Sequence, residues 1–278
     1  VEYEVEIRYN GTLFFPYWSP REDEYFSVEK GIFTVIAPSA YEVRYKVYNY
    51  NGQPLAATAD KGKKSVTWQV ALLPAVESEY ASPGWLEINP VVITGPTEFE
   101  IEKYRGDMST WEGFGRFIYS LNRGRDQLPL NIKQAVKDIA AGEPDPKLKV
   151  VKLYEYLQKN TRYISIQLGI GGWQPFDAAY VASRSYGDCK ALTNYMYSLL
   201  KEAGIGSVYT LVNAGRERGD FFTEFPSARF NHVILCVPFA KDSIWLECTS
   251  QTLPAGYLSD FTCDRYALLV TEEGGKLV

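Results

Sequence analysis

The feature of this sequence that most limits its fold is a change in the spacing of apolar residues. Up to about residue 100, apolar and polar residues alternate in short runs at 3–9, 41–48, 65–73 and 85–94, and Asn-Gly, Pro and Gly separate the runs. Alternation of this kind predicts antiparallel strands. After about residue 110 the spacing becomes helical. The sequence therefore predicts an α+β protein whose N-terminal part is an antiparallel β-sandwich.

The two spacings divide the 278 residues into two predicted domains. The first covers residues 1–105, and it has no polar cluster that indicates a chemical function. Within it, Asn51-Gly52 is the strongest hairpin signal, because both residues tolerate a positive φ. The second covers residues 106–278 and is predicted to pack helices on an antiparallel sheet.

Helical spacing in the second domain predicts helices at 111–121 and 131–142, and a third that Asp145 caps and Pro146 begins. We expect the third helix to end near Asn160. Strands are predicted at 162–168, 207–213, 229–237 and 243–249.

The segment YGDCKALTNY places a cysteine where a loop becomes a helix. Apolar residues repeat at helical spacing from Cys189 to a C-terminal stop at Gly204. Asp188 is the predicted N-cap, so Cys189 lies in the first turn. The N–H groups and partial positive charge there favour a thiolate, and the Cys189 N–H can face an oxyanion. The side chains of Asp188 and Lys190 are expected to be solvated.

A cysteine nucleophile needs a base, and His232 is the only histidine in the sequence. Alternation puts Phe230, His232 and Ile234 on one strand face, which we predict to lie against the cysteine-bearing helix. Glu247 lies in the next predicted strand, where it can hold the far nitrogen of the imidazole. If the histidine and the glutamate are directly opposed, paired residue numbers sum to 479 and both side chains share a face.

Each of these residues also has a structural interpretation. A cysteine at a helix start is often only structural, a strand histidine is often held by local hydrogen bonds, and Glu247 could face water. The order along the chain, with a cysteine at a helix start and then a histidine and an acid on adjacent strands, favours a catalytic triad of Cys189, His232 and Glu247.

Composition argues against several other functions. A net charge of -5 and a pI near 5.2 are unfavourable for nucleic-acid binding, which requires clustered Lys and Arg. The glycines around residue 171 do not fit GxGxxG, which argues against nucleotide binding. The four cysteines have no CxxC spacing, and no calcium loop of the DxDxDG type is present, so we expect no metal and no cofactor. A disulfide between two of Cys236, Cys248 and Cys263 and free thiols are both compatible with the sequence.

The sequence gives little information about the cellular compartment of the protein. No run approaches the ~18 apolar residues that cross a bilayer, so no membrane span is expected, and no stretch reads as a signal peptide. Because the sequence begins with Val1 rather than Met, we expect an upstream export signal to have been removed, which favours a periplasmic or extracellular location.

Three segments resemble the bacterial transglutaminase-like superfamily, which has a papain-like core: YGDCKALTNYMYSLLKEAGI, FNHVILCVP and WLECTSQ. ISIQLGIGGWQPFDAAYVASRSYGDCK and YNGTLFFPYWSP resemble bacterial proteins in which a β-rich domain of unknown function precedes this core. The resemblance implies a triad at Cys189, His232 and Glu247, with Glu in place of the more frequent Asp. It also implies that a further C-terminal domain can follow.

Together, the residues and the resemblance predict a thiol enzyme that acts on peptide or protein amides, either by hydrolysis or by transfer of the acyl group to an amine. A second oxyanion donor is expected from Gln167, Trp173 or Gln174, of which we favour Gln167. Two alternatives remain: an amidase for small molecules or cell-wall peptides, and a non-catalytic scaffold that binds proteins or glycans with the same fold.

Overall fold

The computed structural model describes residues 6–9, 11–59, 61–77, 79–215 and 221–278. The chain separates into two compact units, Val1–Ile101 and Glu102–Val278. This boundary lies four residues before the predicted one, and the separate roles assigned to the two domains stay a prediction. Both units contain antiparallel sheets, and helices are concentrated in the second, which confirms the predicted α+β class.

The first unit is built mainly from strands. Its elements are β1 (Tyr17–Trp18), β2 (Val28–Pro38), β3 (Val43–Tyr48), β4 (Leu55–Ala59), β5 (Lys63–Leu73), α1 (Trp85–Ile88), β6 (Val91–Pro96) and β7 (Glu98–Ile101). Two three-stranded antiparallel sheets form in the orders β1-β6-β3 and β2-β5-β4. Trp68 of β5 is buried and packs edge-on against Tyr45 of β3, so the two sheets meet through these rings.

Three expectations for this unit are wrong in the described residues. Residues 6–9 of the strand predicted at 3–9 are not in a strand, and its first three residues lie outside the described part of the chain. The strand predicted at 85–94 begins instead with a helical turn, in which the Glu87 carboxylate accepts the Gly84 N–H at 3.2 Å. Asn51-Gly52 is not a hairpin turn, because β3 pairs with β6 and β4 pairs with β5.

The second unit contains all the longer helices. These are α2 (Trp111–Asn122), α3 (Leu130–Ala141), α4 (Pro146–Asn160), α5 (Ala178–Arg184) and α6 (Cys189–Glu202), with a 3₁₀ turn at Gly169–Gly172. Their starts follow ordinary capping chemistry. Thr110 accepts the Gly113 N–H at 3.0 Å, and Asp145 accepts the Lys147 N–H at 2.8 Å. The three helices predicted at 111–121, 131–142 and from Pro146 are confirmed, whereas α5 was not predicted.

The strands of the second unit are β8 (Tyr104–Asp107), β9 (Arg162–Tyr163), β10 (Tyr186–Gly187), β11 (Val208–Val212), β12 (His232–Phe239), β13 (Asp242–Leu246), β14 (Ala267–Val270) and β15 (Gly275–Leu277). Five of them form an antiparallel sheet in the order β13-β12-β11-β14-β15. Strands β11, β12 and β13 confirm the three predicted at the end of the chain. The predicted strand at 162–168 shortens to β9, which pairs in parallel with β10 just before α6.

Helix α6 is the centre of this unit. Its residues Met196, Leu199 and Leu200 are inaccessible to solvent, and they belong to a core that includes Leu235 and Val237 of β12. Helices α3, α4 and α5 also contribute to this core. Burial of apolar side chains on several sides fixes the position of α6, and with it the position of its first residue.

Helix α2 contacts the last strand of the sheet backbone to backbone. A Cβ atom on Gly115 would lie 2.0 Å from the Gly275 nitrogen, and one on Gly275 would lie 2.3 Å from the Trp111 carbonyl oxygen. Both positions therefore require glycine, because any side chain would push α2 away from β15.

Within the described part of the chain, no helix combines the length and the apolar composition that a bilayer crossing requires.

Candidate active site

Cys189 is the first residue of α6, as predicted, and Asp188 is its N-cap. The Asp188 carboxylate accepts the Ala191 N–H at 3.0 Å, and the Asp188 carbonyl accepts the Leu192 N–H at 2.9 Å. The preceding Gly187 is required here, because a Cβ on it would lie 2.7 Å from the Ala191 methyl group. These local contacts place the Cys189 backbone N–H and thiol in the first turn of the helix, where N–H groups lack intrahelical acceptors.

A buried ion pair flanks the cysteine on both sides. The Lys190 ammonium bonds to the Asp188 carboxylate, and the two side chains are only 6% and 3% exposed. The expectation that both would be solvated is wrong, because the packing of α6 covers its first turn. Since each charge has its counter-ion, the pair adds no net charge beside the thiol.

His232 is the first residue of β12, and its imidazole is held between two groups. Its Nε2 lies 3.0 and 2.9 Å from the two carboxylate oxygens of Glu247. The thiol of Cys189 lies near enough to the imidazole to raise its pKa. Because Nε2 faces the carboxylate, Nδ1 is the nitrogen left for the sulfur. The neighbouring Asn231 exchanges two side-chain hydrogen bonds with the backbone of Ala214, which fixes the start of β12.

Glu247 follows the last residue of β13, and it is held by more than the histidine. Thr249 donates its backbone N–H and its hydroxyl to one carboxylate oxygen, at 3.2 and 2.5 Å. The Tyr154 hydroxyl of α4 donates to the Glu247 carbonyl oxygen at 2.7 Å. The carboxylate is 5% exposed, so these contacts replace the water that a buried charge requires.

The electrostatics of this pair favour a charged imidazole. Burial opposes the imidazolium, but the hydrogen bonds with Cys189 and Glu247 outweigh it and raise the pKa of His232 to about 9. Burial also acts to raise the pKa of Glu247, but the hydrogen bond and positive charge of His232 hold it below its usual range. The site therefore stabilises an imidazolium and a carboxylate at neutral pH.

The register of the β12–β13 pair and the face of β12 that packs against α6 both differ from those predicted. Leu235 pairs with Leu246, so paired numbers sum to 481 rather than 479, and the hairpin turns at residues 240–241. Helix α6 packs over the face of Leu235 and Val237, not the face of Ile234 as predicted. His232 still reaches Cys189, because it begins the strand close to the start of α6. The error in register is even, so Glu247 stays on the side where it can meet the imidazole.

The three predicted oxyanion donors, Gln167, Trp173 and Gln174, differ in the contacts of their N–H groups. The backbone N–H groups of Trp173 and Gln174 both donate to the Ile170 carbonyl at 2.8 Å, so they are used within their own turn. The turn after the glycines therefore uses the backbone donors of these two residues, and an oxyanion role for Trp173 and Gln174 stays a prediction. Gln167 is exposed in the loop before that turn, and its role stays a prediction.

The other cysteines differ from Cys189. All four are free thiols, so no disulfide joins them. Burial raises the pKa of Cys236 and, far more strongly, that of Cys248, which keeps both protonated and unreactive. Cys263 is partly exposed. In the ranges that the structure describes, no three His, Cys, Asp or Glu side chains come together to hold a metal ion.

Several neighbours of the site were not found from the sequence. Thr249 lies two residues after Glu247, a spacing at which threonine commonly bonds to an adjacent carboxylate, so this contact had a local signal. Phe261 packs edge-on against the His232 ring at 5.3 Å, and Tyr154 comes from a distant helix. No local pattern points to these two, because they meet the site only through the tertiary fold.

Comparison with known proteins agrees with this arrangement. Residues 133–248 match the family model of the transglutaminase-like superfamily, and residues 1–77 match DUF3857, a domain of unknown function with a solved structure. The chain is therefore similar to the transglutaminase-like superfamily over residues 133–248 and to DUF3857 over the residues before them. No protein with a curated description matches the sequence.

Several solved structures are similar to this chain at low sequence identity. A structure described as a "putative protease" from Parabacteroides distasonis has 15% identity and a TM-score of 0.59; the match covers 95% of this chain and 47% of that one, about half its length. A "putative cysteine protease" from Cytophaga hutchinsonii has 12% identity, a TM-score of 0.36 and coverages of 87% and 71%. The periplasmic domain of TgpA from Pseudomonas aeruginosa has 12% identity, a TM-score of 0.25 and coverages of 95% and 75%. The first likeness shows a shared fold, and the other two add no argument.

Proposed function

We propose that this protein is a thiol enzyme that cleaves peptide or protein amides through Cys189, His232 and Glu247. The observation that carries the proposal is the imidazole held between the Glu247 carboxylate and the Cys189 thiol at the start of α6. This constellation has the order nucleophile, base and orienting acid that acyl transfer requires. The match of residues 133–248 to the transglutaminase-like superfamily agrees with it, as does the description of one structure of the same fold as a "putative protease".

The proposed reaction begins from an ion pair in which His232 already holds the proton of the Cys189 thiol. The resulting thiolate attacks the amide carbon and forms a carbon–sulfur bond, while the Cys189 N–H and the N-terminus of α6 stabilise the oxyanion. The imidazolium then donates its proton to the leaving nitrogen, and the carbon–nitrogen bond breaks. The acyl group remains on the sulfur as a thioester.

The second half of the reaction releases the acyl group. His232 takes a proton from water or from an amine as that molecule attacks the thioester carbon, and the carbon–sulfur bond breaks. Water gives a carboxylic acid, whereas an amine gives a new amide. Glu247 holds the imidazole in orientation through both halves, and Thr249 holds the carboxylate.

The first experiment measures alkylation of Cys189 by iodoacetamide as a function of pH, with the modified cysteine identified by peptide mass mapping. Mapping is necessary because Cys263 is partly exposed and can react as well. We expect Cys189 to react rapidly at neutral pH, and the His232→Ala variant to lose this reactivity. Slow labelling that is identical in both proteins would instead favour a non-catalytic scaffold.

The second experiment distinguishes hydrolysis from acyl transfer. A peptide library is incubated with the protein and a dansylated primary amine, and Cys189→Ala serves as the control. Cleaved peptides indicate hydrolysis, and dansylated peptides indicate transfer. Neither product above the level of the control would contradict action on peptide amides.

A further inference from the structure

A cavity of about 690 Å³ lies on the face of the five-stranded sheet that points away from α6. We call it the sheet cavity. Its floor includes Val212 of β11, Ile234 of β12 and Ala267 of β14, which come from three neighbouring strands. The volume lies in the usual range of ligand pockets, so the cavity can hold part of a peptide.

The floor of the sheet cavity continues to the candidate active site. Val212 is the strand partner of His232, and Ile234 follows His232 by two residues, so the three side chains share one face of the sheet. Two residues of a strand span roughly 7 Å, which is the distance from the histidine to the cavity floor along β12. On the other side of the imidazole, Phe261 packs against the ring and directly precedes Thr262 of the cavity wall.

Most of the sheet cavity is lined by carbon. Its sides are formed by large aromatic or aliphatic side chains, namely Phe221, Trp245, Leu258 and Tyr266. Tyr266 stacks on Phe221 with 5.5 Å between the ring centres. Of the polar wall residues, Arg265 donates to the carbonyl oxygens of Gly215 and Asp260, so it helps to hold the wall in place. A lining of this kind favours a large apolar side chain, which gains free energy when it leaves water.

The position of the cavity relative to His232 indicates which part of a substrate it receives. In the proposed reaction, His232 gives its proton to the leaving nitrogen, so the leaving half of the substrate lies against the histidine. The acyl half stays bonded to Cys189, whose helix covers the opposite face of the sheet. An extended chain advances about 3.3–3.6 Å per residue, so one or two residues after the cleaved bond reach from His232 to the cavity.

We infer that the sheet cavity binds a large apolar side chain, aromatic or aliphatic, of a residue one or two positions after the cleaved amide bond. This inference rests on the proposed function, because the occupant is part of the same substrate. Ile234, Trp245 and Leu258 are then specificity-determining residues. In acyl transfer, an amine that carries such a side chain occupies the same cavity before it attacks the thioester.

The first test compares the peptides that the unmodified protein and Ala267→Phe cleave, with a phenyl ring filling the cavity floor in the variant. We expect Phe, Tyr, Trp, Leu or Met at one of the two positions after the cut in the peptides that the unmodified protein cleaves. The ratio of kcat/KM for such a peptide to that for its glycine counterpart should fall about tenfold or more in Ala267→Phe. Leu258→Ala is the second variant if the first does not fold. Leu253→Ala, which changes the same loop outside the cavity wall, should keep the ratio.

The second test measures binding without turnover, by isothermal titration calorimetry on the complete chain with Cys189→Ala. The probe is L-phenylalaninamide, which represents the leaving half of a substrate, and glycinamide is the control. We expect saturable binding of phenylalaninamide, weakened about tenfold or more when Ala267→Phe is added.

The outcomes separate this inference from the proposed function. Cleavage without a preference after the cut, a preference that both cavity variants leave unchanged, or equal affinity for the two amides would overturn the inference alone. Absence of any cleavage would contradict the proposed function and, with it, this inference.

Discussion

Buried polar groups lie near both ends of α6, and the two ends differ in whether these groups have hydrogen-bond partners. At the N-terminal end, Asp188 pairs with Lys190 and the Glu247 carboxylate bonds to His232 and Thr249. Around the C-terminal half, the buried atoms Asn122 Oδ1 and Ser207 Oγ have no hydrogen-bond partner in the described chain. A satisfied network holds reactive groups in one geometry. The N-terminal end of α6 therefore holds its buried polar side chains in one arrangement through their mutual contacts.

The largest expected effect comes from removing the sulfur. Cys189→Ala should abolish amide cleavage, a loss of about 10⁶-fold if the three residues act as a unit, because the thioester can no longer form. Turnover of the most sensitive library peptide checks this. The matched control is Cys263→Ser, which should retain full activity, and a similar loss in both variants would contradict the assignment of the nucleophile.

The second effect tests the orienting acid. Glu247→Gln should lower turnover by about 10²- to 10⁴-fold, because a neutral amide no longer stabilises the imidazolium. Since Glu247 helps to raise the pKa of His232, the pH profile of Cys189 alkylation should also change. Circular dichroism establishes that the variant is folded. An unchanged alkylation profile would show that the carboxylate has only a structural role.

The third prediction concerns the buried ion pair of Asp188 and Lys190 at the N-terminal end of α6. Lys190→Met leaves the Asp188 carboxylate buried without a counter-ion, so we expect a loss of about 3–5 kcal/mol in the free energy of unfolding. Urea denaturation measures it. The double variant Asp188→Asn with Lys190→Met removes both charges and should recover most of the loss. Failure of the double variant to recover stability would mean that packing of the lysine chain, not its charge, is what matters.

A pH dependence of similar size follows from His232. Its pKa is about 9 in the folded protein against 6.5 for an ordinary histidine, so the imidazolium is favoured by folding. This contribution, about 3 kcal/mol, is fully present below pH 6.5 and is lost as the pH rises through 9. Denaturation at a series of pH values should show the loss, and a His232→Asn variant should not. Equal pH dependence in both proteins would contradict the ion pair.

The smallest expected effect concerns Thr249, which bonds to the Glu247 carboxylate. Thr249→Val removes a hydroxyl that donates to Glu247 at 2.5 Å, and we expect turnover to fall by less than about tenfold, the equivalent of one hydrogen bond. Thr249→Ser keeps the hydroxyl and should behave as the unmodified protein. If serine and valine reduce turnover equally, the methyl group rather than the hydrogen bond is responsible.

The sequence predicts those parts of the site that depend on local chemistry. The start of α6 at Cys189 and its Asp188 cap follow from residue order alone, and the even spacing of strand residues keeps Glu247 on the side of His232 despite the two-residue error in register. Which strand face meets α6 could not be predicted, because it depends on how the helices cover the sheet. The burial of Lys190 was missed for the same reason.

In the first unit, pairing between distant strands limited prediction more strongly. The Asn51-Gly52 signal is local, whereas β3 pairs with β6 far along the chain and β4 pairs with β5, the strand that follows it. Strands β14 and β15 were missed because they are short and carry little alternation. Both belong to the sheet that contains His232. The sequence therefore predicts the candidate site residues better than the sheet that positions them.

The backbone contact between Gly115 and Gly275 has a consequence for self-association. It holds β15 along the outer side of β14, and β15 occupies hydrogen-bonding groups that would otherwise be exposed. An exposed strand edge is a template for pairing with other chains. The two glycines thus help to cover the edge of β14 and leave in its place a strand of only three residues, a shorter template for such pairing.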